Sequence, residues 1–220
     1  MTPRRVNSGL LAAPEARILN MLVVRIPGWL SPDRLTAIGL FGAALTCLGF
    51  ALALASWVSL LLVLAGLALN WAGDSLDGRL ARHRRIERRV RGFILDNGVD
   101  LVAYLLLAVG FALSGLVSLP VPFLLLALYM MLSNLALARL MMTGVHDLAL
   151  GLVGTTELRV AFAILAVLLF AAPDAFRAIV PLVGIIVLDG LSLLWALVML
   201  VYFVLTLRLD LRRATRADGA

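Results

Sequence analysis

Long uncharged apolar runs leave this chain few choices of fold. Residues 36–55, "TAIGLFGAALTCLGFALALA", carry no charge, and neither do residues 120–138, "PVPFLLLALYMMLSNLALA". About 20 apolar residues are what an α-helix needs to cross the hydrocarbon core of a bilayer. The pattern predicts six such spans, at about 34–55, 58–81, 92–114, 120–142, 157–172 and 179–207. The fifth is the shortest, because Pro173 ends it early. With 63% hydrophobic residues and a mean hydropathy of +1.05, a soluble globular domain is excluded. The expected fold is an all-α integral membrane protein of one domain.

Ahead of the spans, residues 14–28 place Ile18, Leu19, Leu22, Val23 and Ile26 at helical spacing, with Arg17 and Arg25 opposite. That pattern suits an amphipathic helix lying in the interface. The first 20 residues have no long apolar core, and Glu15 and Arg17 interrupt what there is, so no secretory signal is expected. Ser31 and Pro32 mark a helix start. The chain therefore divides into an N-terminal segment, 1–30, a six-helix domain, 31–213, and a tail, 214–220. The single cysteine, Cys47, excludes an internal disulfide and a metal–thiolate site.

The formal charge of +6 comes entirely from arginine, since the chain has no lysine. Arginines precede span 1 (Arg4, Arg5, Arg17, Arg25), fill the 2–3 connection (Arg79 to Arg91), flank the 4–5 connection (Arg139, Arg159) and follow span 6 (Arg208, Arg212, Arg213, Arg216). The alternate connections "ASWVS" and "SGLVSLP" are uncharged, and "APDAFRA" has one charge of each sign. Six spans with both termini in the cytoplasm satisfy the positive-inside bias at every loop. Topology and attraction to anionic lipid account for Arg84, Arg85, Arg88 and Arg89 without a specific role.

Against this background stands "GDSLDGRLARHRRIERRVRGFILDNGVD", residues 73–100. Asp74 and Asp77 are three apart at the end of span 2, and Asp96 and Asp100 are four apart at the start of span 3. Each pair shares a helix face, and a short connection makes the two helices antiparallel neighbours, so the faces meet at one depth. Four facing carboxylates need a compensating charge. Hard oxygen ligands without histidine or cysteine suit Mg²⁺ or Mn²⁺, and carboxylates on two helices can bridge two ions. Gly78 and Ala81 leave the helix surface accessible, Arg82 can reach a phosphate oxygen, and Gly92 precedes Asp96 by one turn. Metals, an arginine and a spare carboxylate form a kit for in-line displacement at phosphorus, with Asp100 as the general base on an incoming hydroxyl.

The spacing Asp74-x2-Asp77-Gly78-x2-Ala81-Arg82-x9-Gly92-x3-Asp96-x3-Asp100 resembles the signature of the CDP-alcohol phosphotransferases (CDP-alcohol phosphatidyltransferases) at every defined position. "SPDRLT" at 31–36 is similar to that family's Pro-Asn-x-Leu-Thr start of the first span, with Asp33 in place of asparagine. The resemblance implies six transmembrane helices behind an interfacial helix, commonly as a homodimer. It implies Asp74, Asp77 and Asp96 as metal ligands, and Asp100 as catalytic base with a share in the second metal. Asp77, Gly78, Ala81, Arg82, Gly92 and Thr36 would then line the CDP group. The reaction implied is attack by an alcohol on the β-phosphorus of a CDP-linked donor, releasing CMP, in phospholipid synthesis at the inner membrane of a bacterium.

The acceptor is expected to meet variable residues. Arg139 and Arg159 suit an anionic head group, Glu157 follows the family's Gly-x-x-Glu or caps span 5, and Asp189, a lone acid inside span 6, faces the protein interior. CDP-diacylglycerol with a small polar acceptor such as inositol, inositol phosphate, glycerol 3-phosphate or serine is the first expectation. CDP-choline or CDP-ethanolamine donating to diacylglycerol is the alternative within this chemistry. A cation transporter using the intramembrane carboxylates is the alternative of another class. No nucleic-acid partner is expected.

Overall fold

The computed structural model describes residues 4–6, 9–53, 55–147, 149–150, 153–172, 179–180 and 185–218. Its helices are α1 (Ala12–Val23), α2 (Pro32–Ala51), α3 (Leu60–His83), α4 (Arg89–Leu113), α5 (Pro120–Thr143), α6 (Thr155–Ala171) and α7 (Val187–Asp218). Five segments are long and apolar enough to cross a membrane: Pro32–Ala51, Trp57–His83, Val90–Leu113, Pro120–Thr143 and Val187–Thr215. The chain is an all-α integral membrane protein. The expected fifth span corresponds to α6, whose 17 residues fall short of that length.

Helix boundaries follow local chemistry. The Ser31 hydroxyl accepts from the Arg34 N–H at 3.3 Å, with Pro32 in the first turn of α2. Ser56 caps the 3₁₀ turn Trp57–Ser59 that leads into α3. Pro120 opens α5, and Gly144, at φ 69°, closes it in the left-handed conformation that glycine adopts without strain. The last span starts later than its composition predicts. Residues 179–180 and 185–186 form a short antiparallel pair, the helix begins at Val187, and it then runs on past 207 to Asp218. The Pro173 connection lies outside the described residues.

The helices α2 and α3 approach along a seam of glycines. A Cβ on Gly42 would lie 2.6 Å from the Gly66 carbonyl oxygen, and one on Gly49 would lie 2.7 Å from the Val63 nitrogen. Gly110 of α4 sits equally close to the backbone of Cys47, so α2 is gripped from two sides. Lipid offers no hydrophobic drive between helices, and small residues that admit backbone contact take its place. Asn70 adds a polar tie across the seam, its side-chain amide donating to the Gly39 carbonyl at 3.0 Å.

At one end of the bundle, Phe50, Phe111 and Phe162 from α2, α4 and α6 stack with centroids 5.4 to 5.9 Å apart. Val63, Leu116, Ala166, Leu169 and Leu188 pack around them. At the other end, Leu19 and Val23 of α1 pack on Leu35, Leu76 and Leu80. Helix α6 runs antiparallel to α3: its start meets Asn70 and Asp74, while Leu169 lies in the cluster with Val63. The candidate site is at the α1 end.

Candidate functional site

Both aspartate pairs lie inside helices. At about 1.5 Å per residue, Asp77 sits about 9 Å before the end of α3 and Asp96 about 10 Å after the start of α4, so the pairs meet at matching depth. Carboxylate oxygens of Asp74, Asp96 and Asp100 come within 4.8 Å of one another. Asp77 lines the same pocket, together with Thr36, Gly39, Asn70 and Val99. Its carboxylate is held in place: the buried Thr36 hydroxyl donates to Oδ2 at 2.6 Å, and the Gly78 N–H donates to Oδ1. Thr36, expected at the nucleotide, thus bears on the cluster through Asp77.

Arg159 enters the same cluster from α6. It is 8% exposed, its Nη2 lies 2.7 Å from Asp74 Oδ2, and its Nε donates to Asn70 Oδ1 at 2.8 Å. Nη1 is buried and finds no hydrogen-bond partner among the described residues. A buried guanidinium offsets part of the carboxylates' mutual repulsion, and an unused N–H there is a donor held ready for an anionic oxygen. One turn beyond Asp100, the buried Tyr104 hydroxyl makes no well-formed hydrogen bond among the described residues, and its ring packs tilted against Tyr129 with centroids 4.5 Å apart.

The signature's small residues differ from those of the seam. Outside its own helical turn, no described residue lies within 4 Å of where a Cβ on Gly92 would be, and at Gly78 the neighbour is the Arg82 guanidinium, 3.5 Å away. Neither glycine is required by internal packing. Ala81 is half-buried and Arg82 exposed, on the same turns of α3.

The other expected acceptor residues are committed elsewhere. Arg139 does not join Arg159; it pairs with the buried Asp210 of α7 through Nε at 3.1 Å and Nη2 at 2.8 Å. Glu157 accepts from the Gly154 N–H at 2.8 Å and the Leu11 N–H at 2.7 Å, so it caps α6 and fastens the N-terminal segment. Asp189 is in the first turn of α7, not mid-span, where it accepts from the Ser118 N–H at 2.8 Å and hydroxyl at 2.5 Å. Ser118 follows the far end of α4, on the order of 20 Å from Asp100.

Sequence reasoning missed Asn70, Glu15 and Asp210. Asn70 lies one turn before Asp74 in an apolar run, and a polar residue in such a run was the available signal. It also missed Arg84, whose guanidinium donates to the carbonyls of Leu30, Ile26 and Pro27 and so closes the turn after α1. Arg88 and Arg91 pair with Asp33 at the exposed surface, 2.8 and 3.0 Å away. No protein-family model matches the chain, and no curated protein sequence matches it either.

Proposed function

We propose that this chain is a CDP-alcohol phosphotransferase of phospholipid synthesis, transferring a phosphatidyl group from a CDP-linked donor to an alcohol and releasing CMP. One observation carries the reading: Asp74, Asp96 and Asp100, from two antiparallel helices, converge within 4.8 Å in a pocket that Asp77 also lines. The resemblance of residues 74–100 to that family's signature supports it.

The donor set fits a divalent ion. Ligand oxygens around Mg²⁺ or Mn²⁺ at about 2.1 Å lie up to about 4.2 Å apart, which a small side-chain rotation reaches from the observed spacing. With oxygen donors alone in the cluster, zinc is disfavoured. Asp74, Asp77, Asp96 and Asp100 would hold two such ions, whose charge would offset the negative charge that builds up on the donor's phosphates during displacement. Arg82 pairs with a donor phosphate, while Gly78, Ala81 and Gly92 leave room for the nucleotide. Asp100 takes the proton of the acceptor hydroxyl as its oxygen attacks the β-phosphorus. The phosphoanhydride bond breaks and CMP leaves with the electron pair. Arg159 orients Asp74 and offers Nη1 to an anionic acceptor.

In this reading α6 is a sixth span, α1 lies at the cytoplasmic interface, both termini are cytoplasmic, and two copies form a homodimer. CDP-diacylglycerol is the donor, in the inner membrane of a bacterium. The test is CMP release by purified protein in detergent with CDP-diacylglycerol, Mg²⁺ or Mn²⁺ and a panel of polar alcohols, with Asp100→Asn alongside. The expected result is acceptor-dependent CMP that drops at least 100-fold in Asp100→Asn, the scale of losing a general base. Release only with CDP-choline or CDP-ethanolamine and diacylglycerol reverses the lipid's side. No release from folded protein with any pair returns the carboxylates to cation transport.

A further inference from the structure

The acidic residue that interrupts the N-terminal amphipathic pattern has a place in the bundle that its sequence position does not suggest. Glu15 is 9% exposed, and its Oε1 collects three donors: Trp71 Nε1 at 2.9 Å, Ser75 Oγ at 3.3 Å and Thr156 Oγ1 at 2.7 Å. Trp71 and Ser75 are one turn apart on α3, each directly following a residue that Arg159 binds, Asn70 and Asp74. Thr156 lies one turn before Arg159 on α6. Two polar layers therefore join α3 to α6, the inner one through Arg159 and the outer one through Glu15. Around them the N-terminal segment is fastened to the start of α6 and its approach. The Leu11 N–H donates to Glu157, next to Thr156, and Arg4–Val6 pairs in parallel with Val145–Asp147.

We propose that Glu15 is a positioning residue for the carboxylate cluster: by gathering Trp71, Ser75 and Thr156 on one oxygen, it sets where α6 delivers Arg159 to Asp74. Its removal leaves three half-buried donors without the acceptor they share. The first turn of α6 then shifts, and Asp74 loses the partner that fixes its carboxylate. Partners that orient a ligating carboxylate are worth about 10- to 100-fold in metal affinity. The effect on metal rests on the reading of the cluster given above.

The test is Mn²⁺ titration of the full-length protein in detergent, following the electron paramagnetic resonance of free Mn²⁺, with a thermodynamic cycle in parallel. Glu15→Ala is expected to weaken Mn²⁺ binding about tenfold. Glu15→Gln, which keeps an acceptor oxygen, should stay within about threefold of wild type. Val63→Ala, a core truncation at the far end of the bundle, should lower thermal stability and leave Mn²⁺ affinity unchanged. Asp96→Asn should abolish binding. In the cycle, Glu15→Ala and Arg159→Met should be non-additive in detergent unfolding, with a coupling of about fivefold in the unfolding constant. Mn²⁺ binding by Glu15→Ala equal to wild type overturns the proposal whatever the cycle shows. Wild-type protein that binds no Mn²⁺ overturns the metal reading instead, and the cycle then decides for Glu15: additivity rejects the positioning role, and coupling upholds it.

Discussion

Gly73 and Gly92 both sit a few residues from aspartates of the cluster, and they are glycine for opposite reasons. A Cβ on Gly73 would run into Gly39 and lie 2.5 Å from the Leu35 carbonyl oxygen, where neither backbone can yield. Gly73→Ala should therefore part α2 from α3 and cost about 1–3 kcal/mol, the range for overpacking a filled interior. Gly92 faces open space on an exposed turn, where alanine is the better helix former by about 0.5–1 kcal/mol. Gly92→Ala should hold or raise the unfolding midpoint in detergent while lowering CMP release, because on the proposed function the methyl enters room that the nucleotide would occupy. Thermal unfolding and CMP release measured on both variants check this, and a Gly92→Ala protein with full activity would count against the nucleotide contact. The signature residues were legible because they are close in sequence and their spacing maps directly onto helix faces. The pairing of Arg159 with Asp74 spans 85 positions, and no local pattern links the two. Arg139 looked equally available, and only the fold reveals that Asp210 claims it.

Among the elements, α7 departs furthest from its sequence reading. Residues 179–207 are an almost unbroken apolar stretch, so hydropathy alone could not say where the helix begins. Because it starts at Val187, Asp189 falls in its first turn, where a carboxylate is favoured by the exposed N–H groups of the helix. There it also caps the α4–α5 connection through Ser118, which fixes α7 against the rest of the bundle. Asp189→Ala removes the buried acceptor of the Ser118 N–H and hydroxyl; Ser118 itself is exposed and can turn to water, so the loss is about 0.5–1.5 kcal/mol for each hydrogen bond. The unfolding midpoint in detergent should fall accordingly. At a temperature where the variant is folded, Mn²⁺ affinity and acceptor KM should match wild type, since the cluster lies at the other end of α4. A changed acceptor KM with an unchanged midpoint would give Asp189 back to substrate binding.

At the scale of the molecule, the question is whether α6 crosses the membrane. By length it is marginal: 17 residues at about 1.5 Å each reach about 25 Å, against a hydrocarbon core of about 30 Å. Its packing supports the proposed crossing. Its Arg159 meets Asp74 and its Leu169 lies in the cluster with Val63, Phe50 and Leu188, so it follows α3 in the opposite direction for about 15 Å. The ties of α7 agree, since Asp189 meets the α4–α5 connection and Asp210 meets Arg139 near the end of α5. If α6 crosses, the α3–α4 connection and the C-terminal end of α7 share one side, and the α4–α5 connection lies on the other. Single cysteines at Ile86, Leu119 and Thr215, placed in a Cys47→Ala background, report this through a membrane-impermeant maleimide applied to intact cells. The exposed Leu119 site should react from outside, whereas Ile86 and Thr215 should react only after permeabilisation. The buried ties of Arg159 to Asn70 and Asp74 matter here: if α6 crosses, they would help to hold a helix too short for its span inside the bundle, where a thinned or locally adapted bilayer can accommodate it. Labelling of Thr215 together with Leu119 from outside would leave five crossings, with α6 returning to the side on which it starts.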